Sequence, residues 1–335
     1  MKVLVNGSRG YIGTPLMFQL SKVCEAIGVD NCAREAWVNK CTGEMDDTFL
    51  CPKELDNYIH GDLTNKEFVY EILAIHKPDV VIHLASQPSM PYSQINGERA
   101  GYTQVNNLMM TVNLLWGIKE LGLKTKFIIT TTTGIPGQSM RVIPEEPVAN
   151  HAGSWYHVSR GFDSTNCALA SKQWGQEVLE LRTSIVYGIQ TIAMKENTSF
   201  RTRFDTDFYF GTALNRFVQQ AIEGKPITIY GKGNQVKPFI SLEDTVESLI
   251  NAITYKQAKT HEIMNQVTEH ISIKSLANMI VKNCKGKIKH IDNPRKENEG
   301  FSMKFNNKKF LKLLGKKITT MEETIPLMVK TFMEV

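Results

Sequence analysis

Short apolar runs alternate with amphipathic stretches along the first part of the chain, up to about Gly188. Residues 2–6 (KVLVN) read as a buried strand. Residues 7–13 read as a glycine-rich turn that gives way to helix from Tyr11 onward. Residues 26–30 (AIGVD) and 58–60 read as further strands, while 31–57 is long, polar and without a clear period. Residues 66–75 have a helical pattern. Residues 79–85 (DVVIHLA) are apolar on both faces, as expected of a strand inside a parallel sheet. A long helix over 100–121, a β-branched strand over 126–132 (KFIITTT), a second long helix over 151–174 and a strand over 177–182 follow. This alternation predicts an α/β fold, an open, doubly wound parallel sheet with helices on both faces. Beyond Gly188 the order loosens. Strands over 227–230, 239–241 and 262–265 mix with helices over 212–222, 242–255, 273–282 and 320–334, a smaller α+β portion laid over one edge of the sheet.

Composition narrows the class. No run among the 335 residues approaches the ~18 apolar residues of a membrane span. The chain enters its first strand without the apolar core of a signal peptide, so a cytoplasmic protein with no membrane partner is expected. Six cysteines without a C-x-x-C pair predict free thiols, and Cys32, Cys41 and Cys51 lack zinc-site spacing, so no metal is expected. The net charge of +5 is uneven: from Lys274 to Lys317 there are thirteen Lys/Arg against three Asp/Glu. No aromatic-interleaved basic groove accompanies them, so this reads as a solvated surface and not as a nucleic-acid site.

The chemistry begins at the first turn. Gly7, Gly10 and Gly13 stand in a G-x-x-G-x-x-G spacing between a strand and a helix. Glycine lets backbone approach a pyrophosphate, and the free N–H groups of the helix start face it. Asp30 ends the second strand, where a carboxylate accepts hydrogen bonds from the adenosine ribose and favours NAD. Arg34 lies close by, and an arginine there is able to meet the 2′-phosphate of NADP. Tyr156 and Arg160 are one helical turn apart and share a face. A cation beside a tyrosine stabilises the phenolate, which then takes a proton from an alcohol as hydride leaves for NAD. In isolation such a pair is commonly a surface pair; the dinucleotide turn upstream changes that weighting. Thr130 to Thr133 end a strand at the edge where ligands bind in such sheets, and a hydroxyl there would orient a substrate hydroxyl.

The turn GSRGYIG, Asp30, GDLTN at 61–65, HLAS at 83–86 and YHVSR at 156–160 together resemble the extended short-chain dehydrogenase/reductases, the family of NAD-dependent nucleotide-sugar epimerases and dehydratases. PYSQINGERAGYTQVNN (91–107), SWYHVSRGFDSTN (154–166), RTRFD with FGTALNRF (201–217), IYGKGNQVKPFISLEDTV (229–246), NQVTE (265–269) and NPRKENE (293–299) resemble its UDP-sulfoquinovose synthase subgroup across nearly the whole chain. The resemblance implies a Rossmann-type domain, 1–187 with a returning segment 236–265, holding NAD. It implies a nucleotide-sugar portion, 188–235 and 266–335, for a UDP-hexose. In the subgroup the sugar is oxidised at C4, loses water across C5–C6, adds sulfite at C6 and is reduced again.

The resemblance also implies residue roles. Tyr156 would be the base, with Thr132, Arg160 and His157 beside it. Gly7, Gly10, Tyr11, Ile12, Gly13, Asp30, Asn31, Asp62, Leu63, Leu84, Ala85, Asn106, Tyr156 and Arg160 would hold the cofactor. Gln87, Tyr92, Thr132, Asn215, Lys237 and Arg295 would hold the substrate. The family often forms homodimers through helices matching 100–121 and 151–174. Three departures stand out. Arg160 replaces the family lysine, Ile135 a glutamate suited to the elimination, and Pro88 an arginine suited to sulfite. The alternatives are an epimerase, dehydratase or reductase without sulfite chemistry, or a binding protein that has lost turnover.

Overall fold

The structure is a computed structural model, and it describes residues 1–34, 58–196, 202, 204–284, 286–293 and 302–333. In its first part β1 (Lys2–Asn6), α1 (Gly13–Leu20), β2 (Glu25–Asp30), β3 (Ile59–His60), α2 (Lys66–His76), β4 (Val80–His83), α3 (Gly97–Glu120), β5 (Lys126–Thr132), β6 (Val142–Ile143), α4 (Trp155–Trp174) and β7 (Val178–Thr183) follow one another. Then come β8 (Ile185–Tyr187), α5 (Ala213–Ile222), β9 (Ile227–Tyr230), β10 (Val236–Ser241), α6 (Leu242–Thr254), β11 (His261–Gln266), β12 (Glu269–Ser272) and α7 (Ile273–Cys284). The chain ends with β13 (Ile288–Ile291), β14 (Lys304–Phe305), α8 (Lys308–Leu314) and α9 (Met321–Met333).

Seven strands make one parallel sheet in the order β11-β7-β5-β4-β1-β2-β3. The period of two along each strand sorts its side chains into two cores. Val3, Val5, Ile82, Ile128 and Leu181 pack on one face with Leu16 of α1 and Leu249 of α6. Leu4, Val81, Phe127 and Ile129 pack on the other with Leu73 of α2 and Leu114 of α3. Burial on both faces is why these strands read as unbroken apolar runs. A third core, with Tyr187, Phe217, Phe239, Leu276 and Ile325, belongs to the second layer. There β10 pairs parallel with β8 and antiparallel with β12, and β9 pairs with β13.

Most elements shift by a few residues from the sequence reading, and two differences bear on the layers and the site. The strand over 262–265 is not part of the smaller layer; as β11 it forms the edge of the large sheet beside β7. The helix expected from 151 starts at Trp155, because the Ser154 side chain accepts from the His157 N–H and caps it. Within 236–265, β10 is the middle strand of a small sheet, while α6 and β11 join the layers of the large one. Cys41 and Cys51 lie outside the described residues. Among the described residues no helix is long and apolar enough to cross a membrane.

Candidate active site

The sheet reverses its order between β1 and β4, with Asn6 opposite His83, and the carboxyl ends of the strands open there into a cavity of about 660 Å³. The glycine turn forms its floor. Gly7 has φ +82°, and a Cβ on it would lie 2.7 Å from the Ala85 nitrogen. A Cβ on Gly13 would lie 2.0 Å from the Gly7 carbonyl oxygen. The turn therefore accepts only glycine at both places, and its backbone stays bare for a phosphate pair. Asp30 is held by two backbone donors: the Arg9 N–H donates to Oδ2 at 2.9 Å and the Cys32 N–H to Oδ1 at 2.8 Å. Gly7, Gly10, Tyr11, Ile12, Gly13, Asp30, Asn31, Leu84, Ala85 and Asn106 all line the cavity.

Thr132, Tyr156, His157 and Arg160 line it too, so β5 and the first turns of α4 bring the catalytic candidates together. Arg160 is 1% exposed. It pairs with Asp163 at 2.7 Å, and its Nη2 donates to the Thr130 carbonyl. Its fork is thus shared between the tyrosine and groups behind it. Tyr156 departs from the expectation of a lowered pKa. Burial pushes its phenol up, the Arg160 charge and the Thr132 hydroxyl pull it down, Asp163 adds an upward push, and the net direction is up. Burial also pushes Asp163 up to about 6 against the pull of Arg160. His157 is held neutral, its pKa down to about 4 by burial and then by the Lys237 charge. Its Nδ1 meets the Ser154 hydroxyl at 2.8 Å, and the far edge of its ring packs on Gly134, where a Cβ would lie 2.2 Å from the ring. His83, one strand away, is buried and neutral; burial and then Arg160 take it down to about 3.

Asn215 and Lys237 also line the cavity. The Asn215 Nδ2 donates to the Asp205 carbonyl at 3.0 Å, so this side chain also ties down the segment that roofs the cavity. Four other candidates are turned elsewhere. Gln87 is fully buried, its Nε2 donating to Ser89 and Thr103, and Tyr92 is 1% exposed with its hydroxyl bonded by Arg99. Asp62 accepts from Thr64, and Leu63 belongs to the core under α2. None of these four lines the cavity. Arg295 lies outside the described residues. Sequence reasoning missed Arg216, whose guanidinium lies 5.3 Å over the Tyr230 ring, and the Tyr209–Phe210 pair, all of them on the wall. RTRFD and FGTALNRF marked that neighbourhood without separating its members.

A profile of the NAD dependent epimerase/dehydratase family matches residues 3–266. The chain belongs to this family. The cofactor is accordingly NAD. Over 311 residues the chain is 34% identical to the chloroplastic UDP-sulfoquinovose synthase of Spinacia oleracea, covering 84% of this chain and 64% of that one. It thus spans just under two thirds of the spinach protein's length. It is 32% identical to the UDP-sulfoquinovose synthase of Sulfolobus acidocaldarius over 334 residues, 89% of this chain and 84% of the other. The same fold occurs in the UDP-glucose 4-epimerase of Thermotoga maritima, solved with UDP-glucose, at a TM-score of 0.79 and 20% identity, covering 100% and 99% of the two chains. It occurs also in the UDP-glucuronic acid 4-epimerase of Bacillus cereus, solved with UDP-glucuronic acid and NAD, at a TM-score of 0.75 and 24% identity, covering 99% and 100%.

Proposed function

We propose that the protein is an NAD-dependent enzyme that modifies a UDP-hexose through a transient C4-keto sugar. One observation carries this reading. Thr132, Tyr156, His157 and Arg160 line a single cavity together with the glycine turn, Asn215 and Lys237. A dinucleotide and a nucleotide sugar sharing this cavity would meet beside Tyr156. When bound, NAD takes up a hydride from the sugar and returns it. Tyr156 takes the C4 hydroxyl proton, Thr132 orients that hydroxyl, and Arg160 counters the phenolate. Lys237 faces the diphosphate. His157, neutral and wedged against Gly134, offers a ring nitrogen to the sugar beyond C4.

Two routes lead from the keto sugar. The two synthase relatives favour water loss and sulfite addition at C6. Pro88 on the wall, which has no side-chain donor, and Ile135, buried at 2% exposure behind it, favour epimerisation, elimination or reduction without sulfite. Mass spectrometry of the protein with UDP-glucose and NAD, with and without sulfite, decides. A sulfonated sugar establishes the first route, and an altered sugar without sulfur the second. An unaltered UDP-sugar in the presence of bound NAD overturns the proposal.

Residues 1–187 with 236–265 serve the dinucleotide, and 188–235 with 266–335 the UDP-sugar. The working form is a homodimer in the cytoplasm. Val105 and Met109 on α3 and Phe162 and Leu169 on α4 are exposed, a one-sided apolar strip on two adjacent helices. Light scattering gives twice the chain mass under this reading, and Phe162→Glu returns the protein to a monomer. The described cysteines are free thiols, in keeping with a reducing compartment.

A further inference from the structure

The ribose end of the cavity holds an ion pair that joins the two layers. Arg34 stands four residues past Asp30 and lines the cavity beside it. A guanidinium at this edge is the group that receives a 2′-phosphate where one is bound. Here its Nη2 lies 2.6 Å from Asp205 Oδ2, and its central carbon lies 3.4 Å from the centroid of the Phe210 ring. A carboxylate thus occupies one edge of the planar fork and an aromatic ring one face. The other cation of this region, Arg9, lies over the Tyr58 ring at 4.9 Å and does not line the cavity.

The segment bearing Asp205 is itself fixed. The Asp205 carbonyl accepts from Asn215 in the first turn of α5. Asp207 Oδ1 accepts from the N–H groups of Tyr209 and Phe210, at 2.8 and 2.9 Å, which sets the ring under the guanidinium. Thr202 bonds the Tyr11 carbonyl at 2.7 Å, so the same segment is tied to the glycine turn. Asp205 therefore pairs with the guanidinium in the cavity that Asp30 also lines, where the adenosine ribose would lie.

We infer that Asp205 is a cofactor-specificity residue: by holding Arg34 it keeps this site selective for a dinucleotide with a free 2′-hydroxyl. Asp30 favours the ribose diol directly. Asp205 acts from the other layer, withdrawing the cation on which a 2′-phosphate would depend and adding a second negative charge against it.

Equilibrium titration of NAD and NADP tests this, with the melting temperature of each variant as a check on folding. Asp205→Asn releases the guanidinium, and NADP binding tightens about tenfold or more while NAD binding changes by less than about threefold. Asp205→Glu keeps the charge and the preference for NAD. Adding Arg34→Gln to Asp205→Asn abolishes the gain. Arg34→Gln alone leaves Asp205 uncovered and weakens NADP relative to NAD by about threefold or more. The last comparison stands even if Asp205→Asn does not fold. An unchanged NADP affinity in folded Asp205→Asn, a gain that survives loss of Arg34, or a ratio that Arg34→Gln leaves the same or shifts toward NADP overturns the inference.

Discussion

One part of the cavity wall is backbone from one short stretch of chain; another part is side chains from segments far apart. The first wall is the turn between β1 and α1, with Gly7 and Gly13 placed where no Cβ fits. The second is assembled from β10 and α5, which contribute Lys237, Asn215 and Arg216 to the lining. Backbone walls are specific and intolerant. Side-chain walls exchange one group for another at graded cost. The catalytic corner between them mixes the two, with backbone holding Arg160 from behind through Thr130 and side chains facing inward.

That contrast can be broken or sharpened by substitution. Tyr156→Phe has the largest expected effect: turnover drops by about 10²–10⁴-fold, with NAD and UDP binding kept within a few-fold in titrations. Should turnover survive, the corner is not where the chemistry occurs. Gly7→Ala comes next. The φ of +82° and the 2.7 Å approach to Ala85 allow no relaxation by a side chain, so NAD affinity drops more than about tenfold and stability falls by about 1–3 kcal/mol in denaturant melts. Lys237→Ala, on the side-chain wall, raises KM for the UDP-sugar by about tenfold and leaves kcat within a few-fold. An equal loss in both walls would erase the comparison.

Smaller effects concern the buried charges behind the corner. Asp163 pushes the Tyr156 phenol up, so Asp163→Asn moves the acid limb of the kcat profile to lower pH; a shift the other way contradicts the assigned cause. Two buried histidines, His83 and His157, contribute to acid sensitivity. Unfolded histidine titrates near 6.5, whereas folded His83 and His157 titrate near 3 and 4. Between those values the unfolded chain binds protons that the folded chain refuses, so stability falls as pH drops below 6.5. Asp163 works the other way between 3.8 and about 6, since its folded form keeps a proton that the unfolded form has lost. Removing one of these histidines takes away its share of the acid destabilisation, so His83→Gln makes the melting temperature less sensitive to acidification below pH 6.5 than in the natural protein.

How far the sequence could be read follows the same contrast. Parallel strands buried on both faces show themselves as apolar runs, and β1 and β5 match their expected bounds residue for residue. The glycine turn and Asp30 are contiguous signals for a local structure. Tyr156 and Arg160 reveal a shared face through helical spacing alone. What Arg160 does with its charge was not visible, because its ion pair with Asp163 competes with the tyrosine only once both are buried. The pairing of Arg34 with Asp205 joins residues that no local pattern relates. Gln87 and Tyr92 lie in a matching motif, yet their backbone course turns them into the protein, with Gln87 facing α3. Two-residue strands such as β6 and β14 exist only through each other and carry no period of their own.

The most direct test of the account mixes the NAD-loaded protein rapidly with UDP-glucose and follows the near-ultraviolet absorbance of reduced nicotinamide. If Tyr156 governs a reversible oxidation of the sugar, absorbance rises and then decays in the natural protein, and Tyr156→Phe shows neither phase while still binding UDP-glucose. A flat trace from the natural protein with UDP-glucose bound, or the same rise and decay in Tyr156→Phe, would contradict it.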